Sequence, residues 1–200
     1  MDLAVIALTF AAIFVVELPD KTFIAALVLS TRYRGIFVWI GVGLAFGVQT
    51  LIAVTVGRAV TFLPDDLVKI VSAAIFLIGA VLLFREAPRA DADEAGTEAE
   101  FEKKAQAGKT GMAAIVASFL VLFAAEWGDL SQLLTISLVG KYDHPLSVFV
   151  GAWAALLAVS GLAVVMGRVL LRHIKLSLVF YLGGSVCLLL LGLTTYEILT

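Results

Sequence analysis

The sequence is poor in the residues that cross-link chains or bind soft metal ions. It contains one cysteine, Cys187, and two histidines among 200 residues. A lone cysteine excludes an intrachain disulfide, and within an apolar run it is expected to be a small core residue. His144 and His173 both fall in predicted loops. A metal site made of thiolate and imidazole ligands is therefore not expected.

Charged residues are also scarce, and this sets the class of protein. Only 15% of the residues are Asp, Glu, Lys or Arg, 62% are hydrophobic, and the mean hydropathy is +1.07. Soluble domains are typically about 45–50% apolar, so the composition predicts an integral membrane protein surrounded by the lipid bilayer. The N-terminus lacks the basic segment of a signal peptide, which predicts that the first apolar run is kept as a transmembrane helix.

Six apolar stretches have roughly the 20 residues needed to cross a bilayer. They predict an all-α fold with six transmembrane helices, over residues 3–30, 35–61, 67–85, 111–139, 146–170 and 176–198. Between the third and fourth helices, segment 86–110 is charged and has no apolar run. This composition predicts a solvated linker that is helical in part, around residues 99–106.

Two short acidic motifs lie in the middle of two of these apolar stretches. The first acidic motif is Glu17-Leu-Pro-Asp20-Lys-Thr22, and the second is Glu126-Trp-Gly-Asp129-Leu-Ser131-Gln132. In each, Glu and Asp are three residues apart, so they share a helical face. Carboxylates inside a membrane helix are costly and usually mark an ion pathway or another functional site.

The two motifs belong to a longer internal repeat. Glu126 follows Glu17 by 109 residues, and Gly151 follows Gly41 by 110. The repeat predicts two units, repeat one over 1–85 and repeat two over 111–200, joined by the linker 86–110. Because each unit has three helices, an odd number, the second must lie inverted relative to the first. Inverted repeats place a substrate site near the bilayer midplane, at the interface between the units.

Lys and Arg are distributed unevenly between the two sides of the membrane. The loops after the first, third and fifth predicted helices hold most of them, including Arg32, Arg34 and Arg172. By the positive-inside rule this side is cytoplasmic. We therefore expect a bacterial inner (plasma) membrane protein with both termini outside and the linker in the cytoplasm.

Four carboxylates meeting between the units would suit a hard divalent cation, which prefers oxygen ligands. The predicted metal ligands are Glu17, Asp20, Glu126 and Asp129. Further oxygens, as ligands or in support of them, are expected from Val15, Thr22, Gln49, Ser131 and Gln132. Lys21 is expected to tune the charge of the cluster.

Both motif-bearing helices are expected to break locally. Pro19 has no N–H to donate to the carbonyl of Val15, and Gly128 holds the matching place in the second motif. Broken backbone at membrane depth is tolerated where it lines a cavity, and freed carbonyls there can bind cations. Clustered carboxylates without a cation take up protons, so metal and H⁺ are expected to compete for the same oxygens.

At these motifs the chain resembles the Gdt-like family of Mn²⁺/Ca²⁺ transporters of Golgi, chloroplast and bacterial membranes. That family carries E-x-G-D-[KR]-[ST] twice, in two three-helix repeats separated by a charged loop. The resemblance covers nearly the whole chain and implies cation/H⁺ antiport, with Mn²⁺ export as the usual bacterial role. Two positions depart from the pattern. Pro19 replaces the first Gly, which still permits a break, and Leu130 replaces the second basic residue, which removes a counter-charge.

The residues alone leave other functions open. An exporter of cationic organic solutes would use the same carboxylates but needs a roomier site. An intramembrane aspartyl protease could use the two Asp residues as a dyad, which leaves Glu17 and Glu126 unexplained. A membrane scaffold leaves all four acids unexplained. We expect a transporter rather than an enzyme, with a divalent cation and protons as its partners. We expect no permanent cofactor and no nucleic acid, and a homo-oligomer stays open.

Overall fold

The computed structural model describes residues 1–18, 21–105, 110–173 and 176–199. Every regular element in these ranges is an α-helix. The helices are α1 (Leu3–Glu17), α2 (Lys21–Arg32), α3 (Gly35–Val60), α4 (Asp65–Lys104), α5 (Met112–Ala125), α6 (Leu130–Tyr142), α7 (Pro145–His173) and α8 (Leu176–Leu199).

Between four and six of these units can cross a membrane. Helices α3, α7 and α8, and the Asp66–Ala90 part of α4, are each long and apolar enough alone. The axes of α1 and α2 are bent by 72° relative to each other, and those of α5 and α6 by 73°. Each of these bent pairs is long and apolar enough to cross the membrane as one broken span. The predicted helices 3–30 and 111–139 are thus each divided at their acidic motif. Pro19 and Asp20 lie outside the described residues.

Helix α4 corrects the prediction for the third helix and the linker. We predicted a helix over 67–85 and, after it, a solvated segment that is helical only around residues 99–106, but α4 continues without a break to Lys104. Ala, Glu and Lys are strong helix formers, so an apolar helix that already exists is readily extended by them. Part of the extension is also packed rather than solvated, because Ala87 and Phe101 are buried in the hydrophobic core. Residues 106–109 lie outside the described residues.

The two halves of the chain make equivalent helix crossings. Helix α1 crosses α7 so closely that a Cβ on Gly151 would lie 2.6 Å from the Ile6 carbonyl oxygen. Helix α5 crosses α3 in the same way, where a Cβ on Gly41 would lie 2.4 Å from the Ile115 carbonyl oxygen. Ile115 follows Ile6 by 109 residues, the offset of the acidic motifs.

The same offset relates two stacked aromatic pairs. Phe10 and Phe14 stack on α1 with ring centroids 5.6 Å apart, and Phe119 and Phe123 stack on α5 at 5.4 Å. Each half-helix therefore brings the same surface to its crossing. This equivalence places Glu17 and Glu126 at matching ends of α1 and α5.

Helices α4 and α8 pack along each other, and α8 contains the only cysteine of the chain, Cys187. A Cβ on Gly79 of α4 would lie 3.3 Å from the Cys187 sulfur. Cys187 is a free thiol with no exposed surface, as predicted for a small core residue. The absence of a side chain at Gly79 is what lets the two helices approach at this level.

Near the far end of each bent pair, a basic residue forms an ion pair with a neighbouring helix. Arg32 of α2 contacts Glu102 of α4 at 3.5 Å, and these side chains are 41% and 54% exposed. Lys141 of α6, 109 residues after Arg32, contacts Glu197 of α8 at 3.3 Å and is only 5% exposed. Lys141 also donates to the Thr194 hydroxyl at 3.0 Å. One pair is therefore open to water, while the other is half enclosed.

Candidate metal site

Three carboxylates from the two acidic motifs meet at the helix breaks. Glu17 is the last residue of α1, while Glu126 and Asp129 lie between α5 and α6. Each offers an oxygen, and these oxygens all lie within 4.8 Å of one another. Two oxygens on opposite sides of a Ca²⁺-sized ion lie about 4.6–5.2 Å apart, twice the metal–oxygen distance. The cluster therefore has the dimensions of one divalent cation site.

Two members of this cluster are almost completely buried. The exposed fraction is 1% for Glu17 and 3% for Glu126, whereas Asp129 is half-buried. Burying a carboxylate in its charged form costs free energy. A bound cation or bound protons would reduce that cost. Asp20, the fourth predicted ligand, lies outside the described residues.

The break between α5 and α6 is encoded by its own sequence. Gly128 has φ +81°, a left-handed conformation that favours glycine. Asp129 then caps α6, because its Oδ2 accepts from the Ser131 N–H at 3.4 Å. The Gln132 side-chain oxygen accepts from the Gly128 N–H at 3.1 Å. Ser131, through its backbone N–H, and Gln132, through its side chain, thus stabilise the break, and their role as cation ligands stays a prediction.

Thr22 connects the first half of the chain to the second at this site. Its hydroxyl donates a hydrogen bond to Glu126 Oε1, and both side chains are buried. The other oxygen, Glu126 Oε2, has no hydrogen-bond partner among the described residues. Glu126 is therefore oriented by Thr22 through one of its two oxygens.

Gln49 of α3 forms a hydrogen bond to the last turn of α5. Its Nε2 donates to the Phe123 carbonyl at 3.0 Å. Carbonyls in the last turn of a helix lose their intrahelical partners, so a side-chain donor there is stabilising. The observed contact of Gln49 is thus a hydrogen bond between helices that supports the break carrying Glu126.

The two remaining predicted residues lie next to the cluster along the chain. The Val15 carbonyl oxygen faces α8, 3.7 Å from where a Cβ on Gly183 would stand. Lys21 is the first residue of α2 and its side chain is exposed. The structure shows a helix-packing contact for the Val15 carbonyl, and charge tuning by Lys21 stays a prediction.

A cavity of about 180 Å³ reaches the cluster between α1, α4, α6 and α8. It is lined by Val16, Leu82, Leu83, Glu86, Gly128, Asp129, Leu130, Leu133 and Phe180. Sequence reasoning placed Glu86 at the start of a solvated linker and so missed it as a site residue. The available signal was that Glu86 lies only two residues after the apolar run that ends at Phe84.

Comparison with known proteins adds relatives across nearly the whole chain. Residues 5–91 and 114–198 match the family model described as divalent cation/proton antiporter GDT1. The chain is 33% identical over 212 residues to chloroplastic protein PAM71 of Arabidopsis thaliana, which covers 97% of this chain and 57% of that protein. It is 35% identical over 189 residues to a GDT1-like protein of Synechocystis sp., which covers 87% of this chain and 91% of that protein.

A rice relative extends the same picture. The chain is 30% identical over 213 residues to GDT1-like protein 1, chloroplastic, of Oryza sativa subsp. indica, which covers 96% of this chain and 62% of that protein. The chain thus spans 57–62% of the length of these two plant relatives. No solved structure matches the chain.

Proposed function

The chain belongs to the GDT1 family of divalent cation/proton antiporters, and on that premise we propose that it exports a divalent metal cation in exchange for protons. The proposed cargo is Mn²⁺ first and Ca²⁺ second. The proposed location is a bacterial inner membrane, with both termini outside and the α4 extension in the cytoplasm.

The observation that carries this proposal is the meeting of Glu17 with Glu126 and Asp129. These side chains come from opposite halves of the chain and offer oxygens within 4.8 Å of one another. An all-oxygen, carboxylate-rich shell is what Mn²⁺ and Ca²⁺ prefer. Such close spacing favours a small ion over a cationic organic solute.

Exchange with protons follows from the charge of the cluster. Three ionised carboxylates in a poorly solvated site repel one another, and a divalent cation offsets most of that repulsion. When the cation leaves, the carboxylates regain stability by binding protons. The two cargoes therefore compete for the same oxygens, and binding of one promotes release of the other.

The proposed path across the membrane uses the internal repeat. We propose six spans arranged as two inverted three-helix units, with each bent helix pair counted as one span. The equivalent crossings at Gly41 and Gly151 support this arrangement. Transport would then be a movement of one unit against the other around the shared carboxylates.

The function is tested by metal flux into liposomes that contain the purified protein, with and without a pH gradient. Wild-type protein should move Mn²⁺ against its gradient when a proton gradient is imposed. Glu126→Gln keeps the side-chain size but removes a buried charge, so flux should fall to the protein-free background. The matched control is Glu98→Gln on the α4 extension, which should transport normally.

Two results would count against the proposal. Wild-type protein that moves no Mn²⁺ or Ca²⁺ under either gradient would contradict the function itself. Normal flux in Glu126→Gln would contradict the site, and retained peptide-bond cleavage in that variant would favour the aspartyl protease alternative.

A further inference from the structure

Glu86 is an acidic residue at the end of the apolar part of α4, outside the two acidic motifs. It lies within the Asp66–Ala90 part of α4, which is apolar enough to cross a membrane. Its side chain is exposed, and it follows the apolar run that ends at Phe84. The salt bridges among the described residues use other acids, namely Glu100, Glu102 and Glu197.

Glu86 and Asp129 are the two ionisable residues that line the 180 Å³ cavity. The other lining residues are apolar side chains and one glycine. Low-dielectric walls reduce the screening of a charge and concentrate its field in a cavity. A cation entering this space is therefore attracted first by Glu86 and then by Asp129, which belongs to the carboxylate cluster.

We propose that Glu86 is a positioning residue that recruits the divalent cation into this cavity and passes it to Asp129. This inference rests on the proposed transport function and adds an entry route and its side. Glu86 lies toward the end of α4 that continues into the charged extension, so entry is from the cytoplasm. Because Glu86 does not belong to the final site, it affects how readily the site fills rather than the maximal rate of transport.

The test is Mn²⁺ transport by Glu86→Gln in vesicles of each orientation. With the cytoplasmic face outward, KM for Mn²⁺ should rise about three- to tenfold while the maximal rate is unchanged. With the opposite face outward, KM should stay at the wild-type value. The rise should shrink at high salt, because the Glu86 side chain is exposed and salt screens exposed charges.

Three further variants separate recruitment from a structural effect. Asp93→Asn removes the same charge from an exposed position two turns further along α4, and its KM should match wild type. Glu86→Asp keeps the charge and should keep a nearly normal KM. In the double variant Glu86→Gln, Leu82→Glu, the charge returns to the cavity lining one turn away, so KM should fall back toward wild type.

The outcomes separate a failure of the proposed role of Glu86 from a failure of the proposed transport function. If wild-type protein transports no metal, the proposed function fails. If wild-type protein transports but Glu86→Gln and Asp93→Asn have the same KM, only the role of Glu86 is overturned. A KM rise of equal size from both faces, or a loss of maximal rate without a KM change, also overturns it.

Discussion

At the scale of single residues, the Thr22–Glu126 hydrogen bond joins the two halves inside the site. The Thr22 hydroxyl donates to a buried carboxylate, which stabilises negative charge on Glu126. A metal ion needs that negative charge for binding. At the proposed metal site, Thr22 should therefore raise metal affinity even without touching the ion.

Replacing Thr22 by Val keeps the shape and removes the donor. Loss of a hydrogen bond to a buried charged group costs about 1.5–3 kcal/mol, so metal affinity should fall at least about tenfold. Thr22→Ser should keep most of the affinity. Titration calorimetry with Mn²⁺ measures the difference. Thr55→Val is the matched control, because the exposed Thr55 bonds only to Leu51 of its own helix.

Equal Mn²⁺ affinity in Thr22→Val and wild type would show that this hydrogen bond does not prepare the site. The sequence predicted Thr22 as a site residue but not as the donor to Glu126. That pairing joins residues 104 positions apart, and it depends on how the two bent pairs pack. Local pattern carries no such information.

At the scale of elements, the break between α5 and α6 depends on one backbone conformation. Gly128 adopts φ +81°, and a Cβ at that position would meet nothing within 4 Å. A larger residue there is therefore opposed by backbone strain alone and not by crowding. The break in turn places Glu126 before it and Asp129 after it.

Gly128→Ala should lower stability by about 1–2 kcal/mol, the cost of a left-handed conformation for an L-residue. Gly96→Ala is the matched control, since its Cβ also meets open space but its backbone is helical. It should instead raise stability by about 0.4–1 kcal/mol. Apparent melting temperatures in detergent measure both. A Gly128→Ala protein as stable as Gly96→Ala would remove backbone strain as the determinant of the break.

The sequence predicts the positions of the breaks better than the length of α4. Glycine and proline act on the backbone directly, so their effect is readable without knowing the fold. The end of α4 depends instead on whether Ala87 and Phe101 find packing partners, and both are buried. Solvated helices and solvated coils have similar amino-acid compositions. The composition of segment 86–110 therefore could not show that α4 continues into it.

At the scale of the whole molecule, the two halves are alike in their crossings and unlike in their ion pairs. The Lys141–Glu197 pair encloses its lysine, whereas Arg32 and Glu102 are both open to water. Exposed pairs contribute little to stability, while removing one partner of an enclosed pair leaves an uncompensated charge. Removing one partner of the Lys141–Glu197 pair should therefore lower stability more than removing one partner of the Arg32–Glu102 pair.

On the proposal that the carboxylates bind both metal and protons, the whole protein should bind metal less tightly as the pH falls. Below the range in which the carboxylates ionise freely, each proton released on metal binding lowers affinity about tenfold per pH unit. Calorimetry with Mn²⁺ between pH 8 and pH 5 should show this decline and proton release at the lower end. An affinity that stays flat across that range would contradict proton exchange at this site.

The enclosed thiol of Cys187 gives the chain a practical property. It is the only sulfhydryl of the protein, and it has no surface that a reagent can reach. Maleimides and thiol-reactive spin labels should therefore not react with Cys187 in the folded protein, and should label only cysteines introduced by mutation. One pair of introduced cysteines on α2 and α4, and another on α6 and α8, would report the distance across each ion pair as metal concentration and pH are changed. Cys187 would not have to be replaced first, because it does not contribute to the labelling background.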